Sequence, residues 1–274
     1  MVYIKIRIIS DLHVDLPAKN GQTFGFEDKL NETDLVLIAG DISGSKLGTV
    51  KYLDNLNTKS KVIFVRGNHE GYSQPNFPPH IDTVDSIIAD LRLKYVKEGN
   101  IAFLENDCIE VQDFIVVGCT LYTNFKLLNR QDISAYYARQ KINDFRYVLK
   151  NTNGLPIAVT PDDYIAWFKK SKSYIKSVCE KNPDKKIIVL THFLPTPQGI
   201  AEKYRNDALN PYFTSNLEDF IKQHNNIKLW ACGHTHIPFE CKIGECKVVC
   251  EPYGYYGVDH WLQPKDYNGK IIEL

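Results

Sequence analysis

Leu35-Val36-Leu37-Ile38-Ala39 is followed at once by Gly40-Asp41. Five apolar residues without a polar interruption read as a strand buried on both faces, the kind found in parallel sheets. An acid at the end of such a run stands where open α/β sheets place functional groups, at the carboxyl ends of strands. Outward from this stretch the same grammar repeats. Residues 3–9 run into Asp11-Leu12-His13, and 62–65 into Gly67-Asn68-His69-Glu70. Residues 186–191 run into His192, and 228–231 into Gly233-His234-Thr235-His236.

Between these strands, 45–56 and 26–31 can hold helical turns, so the chain reads as βαβ units and a largely parallel sheet. Residues 82–95 carry apolar positions at helical spacing, and 101–104, 108–111 and 114–119 read as three close strands. The middle, 121–159, is rich in Tyr, Asn, Arg and Gln; 133–149 is expected to be helical. Thr160-Pro161-Asp162-Asp163 opens a helix that should run to about Glu180, with Thr as N-cap and Pro at the first helical position. Ser215-Asn216-Leu217-Glu218 reads as a capping box for another helix. Strands near 239–243, 247–250 and 270–274 close the chain. No repeat or linker interrupts it, so residues 1–274 are expected to form one domain, with 121–180 as a helical insertion or lid.

Bulk composition argues against several classes. Lys plus Arg number 33 and Asp plus Glu 33, so the formal net charge is zero. A neutral chain gains little from phosphate-backbone attraction, and no dedicated nucleic-acid-binding region is expected. There is no stretch of about 18 apolar residues, so no membrane span is expected. The seven cysteines include no Cys-x-x-Cys pair, which points to free thiols and a cytoplasmic protein.

The clusters carry the chemistry. Residues i and i+2 on extended backbone point the same way, so Asp11 with His13, and His234 with His236, can each reach one ion. Asp41 has two carboxylate oxygens and can bridge two ions. Asn68 offers a neutral oxygen. Alone, each has an ordinary alternative: Asp41 as an N-cap, Asn68 as a turn residue, His192 as a satisfied core histidine. Together, four histidines, two aspartates and an asparagine at strand ends form the ligand inventory of a two-metal hydrolase. His80, His224 and His260 are expected at the surface.

The ordered blocks Asp-x-His, Gly-Asp, Gly-Asn-His-Glu, His and Gly-His-x-His resemble those of the calcineurin-like metallophosphoesterases. Ile142-Asn-Asp-Phe-Arg146, Asn216-Leu-Glu-Asp-Phe220 and Glu251-Pro-Tyr-Gly254 extend the likeness to a bacterial and phage subgroup of uncertain substrate. The resemblance implies a four-layer α/β/β/α sandwich with two facing mixed sheets. It implies one metal held by Asp11, His13, Asp41 and His236, and a second by Asp41, Asn68, His192 and His234. The metals would be divalent, manganese first, with Fe, Zn or Ni as alternatives. Bridging hydroxide would attack phosphorus, with His69 serving as acid for the leaving oxygen.

The chain departs from the phosphoprotein phosphatases, whose Gly-Asp-x-x-Asp-Arg-Gly is here Gly40-Asp41-Ile-Ser-Gly-Ser-Lys46. A small, nucleotide-like phosphodiester is therefore the expected substrate. A nucleotide or phosphomonoester phosphatase and a catalytically silent metal-binding scaffold are the alternatives. Arg66, Tyr122, Asn124 and Arg146 are the candidate substrate contacts; Arg139 and Asp144 are expected as lid residues with Tyr122, Asn124 and Arg146, and Tyr72, like Arg66, is near the site by sequence.

Overall fold

The computed structural model describes residues 3–15, 23–72 and 82–274; His80 lies outside them. In chain order the strands are β1 (Lys5–Ile9), β2 (Leu35–Ala39), β3 (Lys61–Val65), β4 (Ile101–Phe103), β5 (Asp107–Val111), β6 (Phe114–Cys119), β7 (Leu149–Thr152), β8 (Leu155–Ala158), β9 (Lys186–Thr191), β10 (Ile227–Cys232), β11 (Phe239–Ile243), β12 (Cys246–Cys250) and β13 (Lys270–Glu273). The helices are α1 (Lys46–Asp54), α2 (Val84–Lys94), α3 (Gln131–Lys141), α4 (Asp144–Tyr147), α5 (Pro161–Lys181), α6 (Asn210–Phe213) and α7 (Glu218–Gln223).

Two sheets carry the architecture. One runs β13-β1-β2-β3-β4 and the other β11-β12-β10-β9-β6-β5. Each is parallel in its interior, with β13 antiparallel in the first, and β11 and β5 antiparallel at the edges of the second. Side chains alternate across each strand, so the continuous apolar runs feed two layers at once. Leu35, Leu37 and Ala39 of β2 face Ile188 and Leu190 of β9 and Leu229 of β10 in a dry core between the sheets. Val36 and Ile38 turn outward onto Leu53 of α1 and Ile87 and Leu91 of α2. Ile187 and Val189 turn the other way, onto Phe168, Ile175 and Val178 of α5 and Phe220 of α7. The result is the expected α/β/β/α sandwich.

Local sequence explains the helix starts. Ser45 Oγ accepts from Gly48 N at 3.2 Å. Thr160 and Asp163 form a reciprocal capping box at the start of α5, with Pro161 in the first turn. The other expected box does not form. α7 begins at Glu218 without a side-chain cap, because Ser215 Oγ accepts from Asn124 N at 3.1 Å and the Glu218 carboxylate turns to Thr196 Oγ1 at 2.6 Å.

The helix expected over 133–149 is also corrected. α3 stops at Lys141, Ile142 is extended, and only the single turn α4 follows. Leu149 opens a β7–β8 hairpin closed by Asn153 and Gly154, with φ of 53° and 85°. Asn-Gly is the preferred pair for a two-residue hairpin turn because both positions need positive φ.

Candidate metal centre

β1, β2, β3, β9 and β10 all end at one rim, and the five polar clusters begin there. Backbone bonds splice them together. Asp11 N donates to Gly40 O, His13 N to Asp41 O, and Gly233 N to His192 O, at 2.9–3.1 Å. Tight approach is built in by glycine. Gly40 has φ of 85°, and a Cβ there would stand 2.7 Å from Gly67 N. A Cβ on Gly67 would lie 2.0 Å from Asp41 Oδ1.

All seven expected ligands converge. Asp11, His13 and His236 place ligand atoms within 4.8 Å of one another, as do Asp41, His192 and His234, and a third group joins His13, Asp41 and His69. Asp41 is the hinge: Oδ1 accepts from His69 N at 2.9 Å. Its Oδ2 lies 3.3 Å from His192 Nε2, 3.9 Å from His13 Nε2 and 4.0 Å from His69 Nε2. Asp11 accepts from His234 N at 3.0 Å with both oxygens, and its Oδ1 stands 3.5 Å from His236 Nε2.

Outer partners decide which atoms face inward. Asp144 can only accept when ionised, so Asn68 donates Nδ2 to it at 3.0 Å and turns Oδ1 toward His192 Nε2, also at 3.0 Å. His192 Nδ1 donates to the Ala39 carbonyl at 2.8 Å, leaving Nε2 a lone pair in the neutral ring. His234 Nδ1 meets the same atom at 3.1 Å. On the other side Asp259 holds His236 Nδ1 at 2.5 Å, and His236 Nε2 faces His13 Nε2 at 3.1 Å. Lone pairs aimed at lone pairs are repulsive unless a proton or a cation lies between them. This donor set fits divalent ions, with imidazole N, carboxylate O and amide O as ligands.

The electrostatics agree. Burial pushes the Asp11 and Asp41 carboxyls up, but the surrounding histidines outweigh it and hold both below the usual range. Burial opposes charge on His192 as well, yet Asp41 raises it to about 9; Asp11 and Asp259 raise His236 to about 10 in the same way. Burial wins at His13, lowered to about 3, and at His234. Two carboxylates without a lysine or arginine partner among the described residues draw positive charge to the cluster.

Three supporting residues were not assigned a role from sequence. Glu70 is 1% exposed. It accepts from Gly67 N at 2.7 Å, Ile42 N at 2.6 Å, Asp41 N at 3.2 Å and Thr49 Oγ1 at 3.2 Å, which pins the Gly40–Asp41 turn to the Asn68 turn. Its place inside the Gly-Asn-His-Glu block was the available signal. Tyr255, whose hydroxyl meets His69 Nε2 at 3.2 Å, and Asp259 come from an irregular tail without periodicity. Asp144, expected as a lid residue, instead accepts from Asn68, Tyr72, Tyr164 and Tyr212.

The expected substrate contacts are not gathered here. Arg66 and Tyr122 are 1% and 2% exposed and hydrogen-bond each other, and Glu105 lies 3.8 Å from the guanidinium. Their polar groups are engaged with each other, with the Gly67 carbonyl and with Glu105 rather than with the cluster, so their assignment is corrected to internal packing. Asn124 closes its own turn through Lys126 N at 2.9 Å, and Arg146 is exposed on Gln140 O at 3.2 Å. Arg139 is exposed, whereas Tyr72 stacks on His69 with centroids 4.4 Å apart. His224 and His260 are half-buried and hydrogen-bond the Phe220 and Tyr253 carbonyls, rather than standing free at the surface.

Two facing mixed sheets with a rim of histidines, carboxylates and one amide define a fold class built around candidate metal-binding residues. The family model for calcineurin-like phosphoesterases matches residues 4–238, and the chain belongs to that family. It is similar, at 27% identity over 265 residues and 91% of both chains, to an uncharacterised protein of Acanthamoeba polyphaga mimivirus. Among solved structures it is similar to phosphopantetheinyl hydrolase from Mycobacterium tuberculosis, with a TM-score of 0.68, 18% identity and coverage of 92% of this chain and 89% of that one. A dimetal phosphatase from Danio rerio matches with a TM-score of 0.51, 12% identity and coverage of 92% and 88%. These structural likenesses show the fold. Among the described residues no helix is long and apolar enough to cross a membrane.

Proposed function

We propose that this chain is a two-metal phosphoesterase acting on a small, nucleotide-like phosphodiester. One observation carries it: two donor sets, Asp11/His13/His236 and Asp41/His192/His234, meet through Asp41, with Asn68 Oδ1 completing the second. Bound divalent ions, manganese first, would supply Lewis-acid stabilisation of the phosphoryl oxygens and an activated water. The chain's own residues do the rest. Asp41 Oδ2 faces both sets, so one carboxylate balances charge on either side. His69 keeps its ring beside Asp41, is 20% exposed, and is free to give a proton to a leaving oxygen.

A diester suits the charge pattern. A monoester dianion adds a second negative charge, and Asp11 and Asp41 pair only with histidines among the described residues. The name of the Danio rerio relative favours the second reading, a phosphomonoester phosphatase. All seven cysteines are free thiols, which supports a reducing compartment such as the cytoplasm.

Manganese reconstitution with metal analysis, followed by turnover of bis-p-nitrophenyl phosphate against p-nitrophenyl phosphate, tests this reading. Two ions per chain and a higher kcat/KM on the diester are expected. Asp41→Ala should abolish turnover, and His69→Ala should lower kcat by about 10²–10⁴-fold. Fewer than two ions per chain would sink the dinuclear claim, and turnover of neither ester would favour a silent scaffold.

A further inference from the structure

A cleft of about 310 Å³ opens beside the cluster. Val14, Phe24, Tyr253, Tyr256 and Val258 line it, and His13 and Tyr255 form its wall toward the candidate metal site. No Asp, Glu, Lys or Arg lines it among the described residues. We propose that this cleft receives an uncharged aromatic ester group, so that the substrate class is phosphoesters carrying such a group. The inference rests on the phosphoesterase reading and narrows its substrate.

Continuity with the cluster is the first argument. The Tyr255 ring packs 4.5 Å from both His13 and His236, centroid to centroid. Its hydroxyl reaches His69 Nε2 at 3.2 Å, so the cleft begins at the atom expected to protonate the leaving oxygen. A phosphoryl group on the cluster therefore projects one ester substituent into the cleft.

The lining is the second. An ionised substituent would lose hydration there and find no opposite charge among the described residues. A flat aromatic ring would instead meet Phe24, Tyr253, Tyr255 and Tyr256, whose rings favour offset or edge contacts. The volume lies at the lower end of small-ligand pockets, about 300–1,000 Å³. The third argument is position in the chain. The family model matches residues 4–238, and the wall built by Tyr253, Tyr255, Tyr256 and Val258 follows that stretch, in a segment that Tyr253 N and Gly254 N bond to Ser10 O and Asp11 O at the rim.

Calorimetric titration of the manganese-loaded full chain with phenylphosphonate and methylphosphonate reads the cleft without turnover. Phenylphosphonate should bind at least about tenfold tighter, about 1.4 kcal/mol. Val258→Glu and Tyr256→Ala, at positions 78% and 38% exposed, should each reduce that preference to about threefold or less, and thermal melts would confirm folding. Leu93→Glu, at a site 82% exposed on α2, should keep the preference. Equal binding of the two probes, binding of neither, or an undiminished preference in both cleft variants overturns the proposal. Preferential phenylphosphonate binding without hydrolysis of any phosphoester would refute the enzymatic reading and leave the cleft assigned. Diester turnover without an aryl preference would refute the cleft alone.

Discussion

Asn68 donates Nδ2 to Asp144 Oδ1 at 3.0 Å, and this bond decides that the amide oxygen, not the nitrogen, faces His192. Asp259 does the corresponding service for His236, on the opposite side of the cluster. The two supports belong to different donor sets, which makes them separable by mutation.

Asp144→Asn should therefore weaken one manganese ion, and Asp259→Asn the other. Loss of such an outer partner typically costs about 10–100-fold in metal affinity. Calorimetric metal titration of each variant should show one site shifted by that amount and the other retained. Equal loss of both ions in either variant would contradict the division into two sets.

Glu70 makes a different claim. Its carboxylate accepts from four backbone N–H groups at 2.6–3.4 Å and from the Thr49 hydroxyl. Glu70→Gln keeps the shape but turns an amide N–H₂ toward donors. An unsatisfied buried group costs about 1–3 kcal/mol, and a chain of this size loses roughly 2–4 °C of Tm per kcal/mol. A fall in Tm of roughly 2–12 °C is expected by circular dichroism, together with weaker metal binding, since the Asp41 turn is no longer pinned.

Metal removal should expose a pH optimum in stability. Folded His192 and His236 titrate near 9 and 10, above the usual histidine value of about 6.5. Their contribution is complete below about 6.5 and is lost as pH rises through 9–10. His13, near 3, and His234 are lowered, so the unfolded chain takes up more protons than the folded one at these two positions as pH falls from about 6.5 toward 3. The chelator-treated protein should be most stable near pH 6–7 and decline on both sides in melts across a pH series. Manganese should flatten the alkaline limb by occupying the positions those protons hold. A chelated protein as stable at pH 9.5 as at 6.5 would disprove the assignment.

What the sequence made legible follows from burial. β2 is apolar at every position, and β9 and β10 are apolar apart from Lys186, Thr191 and Lys228, so their ends, and the ligands there, stand out without any long-range information. Arg66 was misread because nearness in sequence is not nearness in space. It follows Val65 directly, yet its guanidinium runs inward to Tyr122 and Glu105, while Asn68, two residues on, faces the cluster. Tyr255 and Asp259 were illegible for another reason. Their segment contains neither period, and it is brought to the rim by long-range backbone bonds, from Ser10 N to Glu251 O, Tyr253 N to Ser10 O and Gly254 N to Asp11 O. The β7–β8 hairpin was legible in Asn153-Gly154, but the helical expectation for the preceding residues obscured it.

Five of the seven converging residues, Asp11, His13, Asp41, His234 and His236, sit in left-handed backbone with φ between 44° and 77°. Such conformations cost of order 1–3 kcal/mol each for ordinary residues, less for Asp, Asn and His. The packed strands behind them meet that cost at folding, so the donors are preorganised before any ion arrives. Relieving the tension with glycine would remove the donor as well. Thermostability in this chain must therefore be sought away from the rim, and the functional edge is also the part of the molecule with least freedom to change.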